Sequence, residues 1–293
     1  MKREERFRGL TEVVVSSAYA IAREVRAKGI FLYLDALPSL VDLDWLKGDA
    51  ELFIITHSQE TAKRAKGIAK RVLMAPSVSL TRMGQIKIGV LMALSLNLIN
   101  MGDRIVCICG LPELEGLDTI SVIEIGKEHE ILGVVSPPEM TESSTPEVFQ
   151  AVLSLALELA REGREGKPVG AIFVVGDQER VYQYSRQMII NPFKGYPPSE
   201  RNILDPALKE TLKEFSSLDG AFVISGDGVV MSAGRHLNAA YDGDGLPHGL
   251  GARHAAAAAI TGVTKAIAIT VSASTGTVTI FKGGKILTEI ERP

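Results

Sequence analysis

Short apolar runs alternate with helical stretches along the first part of this chain, and that alternation limits its fold more than any other feature. The runs are Ile30 to Leu34, Leu52 to Thr56, Val72 to Met74, Arg104 to Cys109 and Ile120 to Ile125. Helical spacing fills the gaps. Residues 4–28 carry a stripe of Leu10, Val13, Val14, Ser17, Ile21 and Val25, with Gly29 expected as the C-cap. Further helices are expected from Gln59 to Lys70 and from Met83 to Met101. Runs of this length, mostly apolar, suit strands buried on both faces, so the reading is α/β with a parallel sheet.

Size and composition set outer limits. The chain has 293 residues, room for one large or two ordinary domains. Its formal net charge of −3 gives no bulk electrostatic case for nucleic-acid binding, and none is expected. Cys107 and Cys109 sit two apart in a strand, as small core residues without metal-site company. The absence of a disulfide framework fits a reducing cytoplasm. The run Ile88 to Ile99 is too short to span a bilayer and contains Asn97, and the charged start Met1 to Arg6 leads into no apolar signal core. A cytoplasmic protein without a membrane contact is expected.

A second domain is expected after a Pro-, Ser- and Thr-rich boundary. Residues 1–136 form the first unit, 137–145 the linker and 146–293 the second. Thr145 suits a helix N-cap and Pro146 the first helical position, with Val148, Val152, Leu155, Ala156 and Leu159 on one face. The segment Gly163 to Pro168 is rich in glycine and cations, but it precedes a strand and lacks P-loop spacing, so it reads as a tight turn. In the first unit, His57 and Arg82 read as surface loop residues.

The chemistry concentrates between Leu218 and Gly276. Asp219 precedes the apolar run Phe222-Val223-Ile224. Gly249-Leu250-Gly251-Ala252-Arg253-His254 opens an alanine-rich helix. Ser272, Ser274 and Thr275 follow the run Ile267 to Val271. An acid, a cationic pair at a helix start and a hydroxyl cluster, all at element ends, are what a nucleotide site requires. Asp219 can act as a base or hold a metal, Arg253 can fork onto phosphate oxygens, and His254 can ligate the metal or donate to phosphate. Gly249 and Gly251 free the backbone where the helix dipole favours an anion. The segment Tyr241 to Gly245 has neither dinucleotide nor EF-hand spacing and reads as a loop.

Two family resemblances follow. The run Met101 to Gly110 and the pattern around it resemble the C-terminal α/β domain of pyruvate kinase, which implies a regulatory or oligomerising unit. The second half resembles a diadenylate cyclase domain of the archaeal type, which implies a mixed sheet. The matching pieces come in order: Gly163 to Lys167 leading into Gly170 to Asp177; Asn191-Pro192-Phe193; Arg201-Asn202-Ile203; Leu218-Asp219-Gly220-Ala221; Gly251-Ala252-Arg253-His254; and Ser272 to Gly276. The resemblance implies condensation of two ATP into cyclic di-AMP, with a divalent cation (Mn²⁺ or Mg²⁺). It places Asp219, Arg253 and His254 in catalysis and Asp219 and His254 on the metal. It implies nucleotide contacts from Gly220, Ala221, Leu237 (beside the adenine), Gly251, Ala252, Ser272, Ser274 and Thr275.

This chain departs from the family pattern at Ala252 and Ala255, where Thr and Arg usually flank the Arg-His pair, and at Ala273 and Ser274, where Glu is frequent. Arg235, His236 and His248 are the nearby cations that could compensate. Because each ATP is both nucleophile and electrophile, a homo-oligomer with facing domains is expected. The alternative is a non-catalytic adenine-nucleotide sensor on the same fold.

Overall fold

The computed structural model describes residues 3–37, 49–128, 130–132, 142–240 and 251–292. The chain divides into two compact units, one running to Leu132 and the other from Gly133 to Arg292.

The first unit runs α1 (Arg3–Glu24), β1 (Gly29–Tyr33), β2 (Leu52–Thr56), α2 (Gln59–Ala65), β3 (Arg71–Met74), α3 (Arg82–Ser95), β4 (Arg104–Cys109) and β5 (Thr119–Glu124). The sheet order is β3-β2-β1-β4-β5. The first four strands are parallel, and β1 and β2 are buried at every position. β5 instead runs antiparallel to β4 at the sheet edge. The connection from Gly110 to Asp118 explains this, because a parallel return needs a crossover of about a dozen residues or more.

Two local expectations are corrected in this unit. The buried face of α1 is Thr11, Val14, Val15, Ala18 and Ala22, whereas Leu10 and Val13 are exposed. Small side chains bring this helix close to the sheet, so the true stripe is rotated from the one that the larger apolar residues suggest. Gly29 does not cap α1, since Arg26 takes the left-handed position at φ 52°. Gly29 opens β1, where a Cβ would fall 2.4 Å from the Phe53 ring and 2.7 Å from Glu51 O.

The polar residues at the strand ends of this unit are engaged. The nearly buried Asp35 carboxylate accepts from Thr56 Oγ1 (2.5 Å) and from the backbone N–H of His57 (2.8 Å), and His57 Nδ1 lies 2.8 Å from Asp35 Oδ2. Arg82 Nε donates to Asp118 Oδ1 at 2.8 Å, and this guanidinium holds the Asp118 carboxyl below the usual carboxylate range. Cys107 and Cys109 are buried free thiols, and burial pushes both pKa values up, that of Cys109 to about 12.

The second unit contains α4 (Pro146–Glu162), β6 (Ala171–Val175), α5 (Gln178–Gln183), β7 (Ser185–Gln187), α6 (Lys209–Phe215), β8 (Ala221–Ile224), β9 (Val230–Leu237), α7 (Ala252–Val263), β10 (Ile267–Val271), β11 (Val278–Lys282) and β12 (Lys285–Ile290). Its sheet order is β12-β11-β10-β6-β8-β9-β7. Only β6 and β8 pair parallel, so the sheet is mixed. Alternation along β6 splits the core. Ile172 and Val174 join Ala257, Ala258 and Ile260 of α7, while Phe173 stacks on Phe222 at 5.0 Å.

α4 begins as its sequence dictates: Thr145 Oγ1 accepts from Val148 N–H, Pro146 occupies the first turn, and the five expected apolar positions are buried. The boundary region has two parts. Residues 137–141 lie outside the described residues, whereas Ser143 and Thr145 pack within the second unit, Thr145 N–H on Gly226 O at 3.1 Å and Ser143 Oγ on Lys265 O. The segment Gly163 to Lys167 is a tight turn, Arg164 and Lys167 exchanging backbone hydrogen bonds of 2.9 Å.

Candidate functional site

Strand direction decides what meets at one edge of the second sheet. β6 and β8 are parallel neighbours, so their starts lie together. β9 and β10 run antiparallel to them, so their ends arrive at the same edge. The register pairs Val271 with Ala171 and Ala221 with Arg235. Gly170, Asp219-Gly220, the end of β9 and the loop after Val271 therefore converge, and α7 starts against them.

Asp219 and Arg253 meet there. Arg253 Nη2 lies 3.7 Å from Asp219 Oδ1, with side chains 41% and 89% exposed. The pair is loose and open, and neither charge is consumed by the fold. Gly220 fixes the approach: at φ +103°, a Cβ would fall 2.8 Å from Arg235 N and from Gly234 C. Ala221 is buried at the head of β8. Gly251 forms the N-cap of α7 without a side-chain hydrogen bond, and Ala252 follows it exposed.

The loop after β10 is built from hydroxyls. Thr275 N–H donates to Ser272 Oγ (3.3 Å), Ser272 Oγ lies 3.2 Å from Ser274 Oγ, and Thr275 Oγ1 donates to Thr277 Oγ1 at 2.9 Å. Ser274 and Thr275 remain exposed. Ala273 of this loop borders Gly170, as does Arg253.

His254 departs from expectation. Its side chain is buried, with Nε2 3.4 Å from Thr279 Oγ1 and the ring edge-on to Phe281 at a centroid distance of 6.0 Å. Burial lowers its pKa, and Glu289 opposes that shift. Consecutive helical residues point about 100° apart, so with Arg253 directed at Asp219 the imidazole enters the core. It packs α7 against β11. Leu237 is also largely buried and closes the rim of the α7 core.

Arg235 and His236, the described compensating cations, have partners. Arg235 lies 4.1 Å over the Tyr182 ring and donates to Ser185 Oγ (2.9 Å) and Ser185 O (3.0 Å). His236 Nδ1 is 2.5 Å from Asn238 Oδ1. His248, Gly249 and Tyr241 to Gly245 lie outside the described residues.

Some matching motif residues serve the scaffold. Asn191 Nδ2 donates to Met231 O (2.9 Å) while its Oδ1 accepts from Phe193 N–H (3.1 Å). Arg201 donates to Tyr196 O and Val230 O, and Asn202 to Asp227 O. These side chains staple loops to β9. Gly170 falls in the matching segment Gly170 to Asp177, but the sequence alone assigns it no role. A lone glycine at the head of an apolar run is a signal of close approach by another group.

Comparison with known proteins shows which family the chain is similar to. Residues 158–286 match the family described as the DisA bacterial checkpoint controller nucleotide-binding domain (DAC). Residues 10–132 match a family described as a probable sensor domain, DacZ_P. A diadenylate cyclase of Methanocaldococcus jannaschii is 42% identical over 69% of this chain and 65% of its own length. A diadenylate cyclase of Haloferax volcanii is 40% identical over 71% of this chain and 75% of its own. Among solved structures, DacA from Staphylococcus aureus is similar over 50% of this chain and 87% of that one, at 23% identity and a TM-score of 0.32. The chain belongs to the diadenylate cyclase family.

Proposed function

We propose that this protein condenses two ATP into cyclic di-AMP with release of two pyrophosphates. The reading is carried by the approach of Asp219 to Arg253 at an edge where four strand ends converge, in a chain related to proteins named diadenylate cyclase. In each half-reaction the 3′-oxygen of one ATP bonds to the α-phosphorus of the other. The bond from that phosphorus to its β-bridging oxygen breaks, pyrophosphate departs, and the hydroxyl proton passes to Asp219 or water.

Such chemistry rests on positioning and charge stabilisation. The open carboxylate of Asp219 orients the 3′-hydroxyl and accepts its proton. Arg253 exchanges its loose partner for phosphate oxygens, which it can grip with two donors. Backbone N–H groups at Gly251 and Ala252 and the hydroxyls of Ser272, Ser274 and Thr275 complete the anion cradle. Gly220 and Ala221 leave room for the nucleotide beside Asp219, and Leu237 offers an apolar edge for adenine.

A divalent cation, Mn²⁺ or Mg²⁺, fits this residue set in one manner. Such ions are often held by one or two carboxylates together with substrate phosphates. Asp219 supplies a single open carboxylate, and no cluster of three ligating side chains occurs among the described residues. When bound, the ion offsets triphosphate charge and polarises the α-phosphorus.

A site holding one ATP cannot close the ring, so the working enzyme is a homo-oligomer with facing second units. Two buried free thiols suit a cytoplasmic location, and no helix among the described residues is long and apolar enough to cross a membrane. The test is incubation with ATP and either metal, followed by chromatography. Cyclic dinucleotide is expected. Nucleotide binding without product at either metal would leave a sensor on the same fold, and cyclic product from a strictly monomeric preparation would refute the shared site.

A further inference from the structure

We propose that Gly170 is a positioning residue: its missing side chain creates the slot that holds the Arg253 guanidinium. This rests on the ATP reading above and adds a determinant of where the phosphate-binding cation sits.

Gly170 is buried immediately before β6. A methyl group there would lie 2.9 Å from Arg253 Nη1, 3.1 Å from its Cζ and 3.3 Å from Ala273 Cβ. The first distance is too short for unbonded atoms, and the other two are tight contacts that require a shift of a few tenths of an ångström. The obstructed group is the end of a flexible side chain, not backbone, so the guanidinium swings away while the fold remains intact. The backbone of Gly170 is not in the left-handed region, so alanine carries no conformational penalty there.

Other glycines of this unit behave differently. Gly220 at φ +103° faces backbone at 2.8 Å, and Gly176 at φ +80° would place a Cβ 2.0 Å from Ser143 O. Substitution at either injures the chain path. At Gly170 the closest collision is with the cation proposed to grip phosphate, and the third of the three nearest atoms is Ala273 Cβ at 3.3 Å. The second wall of the slot, Ala273, is also small. Together they hold the guanidinium within 3.7 Å of Asp219. Misplacing a catalytic group by about 1 Å can cost about a hundred-fold in rate, so a methyl group at this position has leverage out of proportion to its size.

The experiment is a double-mutant cycle on the full chain, read by calorimetric binding of 3′-deoxy-ATP with Mg²⁺. This probe lacks the nucleophile and cannot cyclise. Gly170→Ala is expected to keep the wild-type melting temperature and to weaken binding about ten-fold, the loss associated with one misplaced charge-assisted hydrogen bond. In an Arg253→Lys background, where the obstructed guanidinium atoms are absent, Gly170→Ala should change binding by less than about two-fold. Unchanged binding in the single variant, a lowered melting temperature, or the same loss in both backgrounds would overturn the slot. Wild-type protein that binds the probe but makes no cyclic product from ATP would sink the cyclase reading and leave the slot standing. Protein that binds no nucleotide sinks both.

Discussion

Each unit of this protein places an aspartate at the end of a central strand, and the two aspartates are treated in opposite ways. Asp35, after β1, is nearly buried and is held by Thr56 Oγ1, the His57 backbone and the His57 ring. Asp219, before β8, is 89% exposed and has one loose ion pair at 3.7 Å. Arginines repeat the contrast: Arg82 is locked onto Asp118, whereas Arg253 is half-open. A charge whose hydrogen-bonding capacity is consumed by the fold holds loops in place. A charge left under-committed where several element ends meet is available to a substrate. Residue type alone does not separate these roles; the number and quality of partners does.

Substituting each aspartate separately tests this contrast, and the largest effect falls on Asp219. Asp219→Asn should lower cyclic di-AMP formation by about 10²–10⁴-fold, the range for a lost general base, while leaving the melting temperature within about 1 °C of wild type, because surface changes away from special features are nearly neutral. Arg253→Ala comes next, reducing kcat/KM for ATP about 10–100-fold, as for one charge-assisted bond. Asp35→Ala should behave inversely. It leaves the Thr56 hydroxyl and the His57 N–H without their acceptor and costs about 1–3 kcal/mol of stability, visible as a lower melting temperature with ATP affinity per folded molecule unchanged. Equal activity losses in Asp35→Ala and Asp219→Asn would dissolve the distinction.

The smallest effect is pH-dependent and concerns His254. Burial lowers its folded-state pKa, so the unfolded chain binds the proton more readily. The stabilising contribution is complete above the unfolded value of about 6.5 and is lost as pH falls from there through the folded value. Stability measured by denaturant titration should therefore decline on acidification below about pH 6.5, and His254→Gln should flatten that slope. A slope unchanged in the variant would show that the imidazole is not the titrating group.

Much of the framework can be read from residues whose signals are local. Thr145-Pro146 fixes the start of α4, and the apolar runs Leu52 to Thr56 and Arg104 to Cys109 locate β2 and β4. Signals that depend on tertiary placement are harder to read. The run that becomes β5 mixes Ser121 and Glu124 with apolar residues and is only partly buried, and the short connection to β4 forbids a parallel return. The true face of α1 is hidden because alanine and threonine do the close packing. At the candidate site, Asp219 and Arg253 can be found from sequence because acid and cation sit at element ends. The burial of His254 beside Thr279 and Phe281 is not visible from its place next to Arg253, because a helix turns sequence neighbours apart. Gly170 shows only as a lone glycine before an apolar run, which signals a close approach but not which group makes it.

Asp219 and Arg253 are proposed to form half of an ATP-condensing site. The most direct measurement compares wild-type protein with Asp219→Asn, each incubated with ATP and Mn²⁺ or Mg²⁺, with cyclic dinucleotide and pyrophosphate quantified by chromatography. Wild type should yield two pyrophosphates per cyclic di-AMP, and the variant should yield neither above background. Equal product from both proteins, or none from wild type with either metal, would contradict the account.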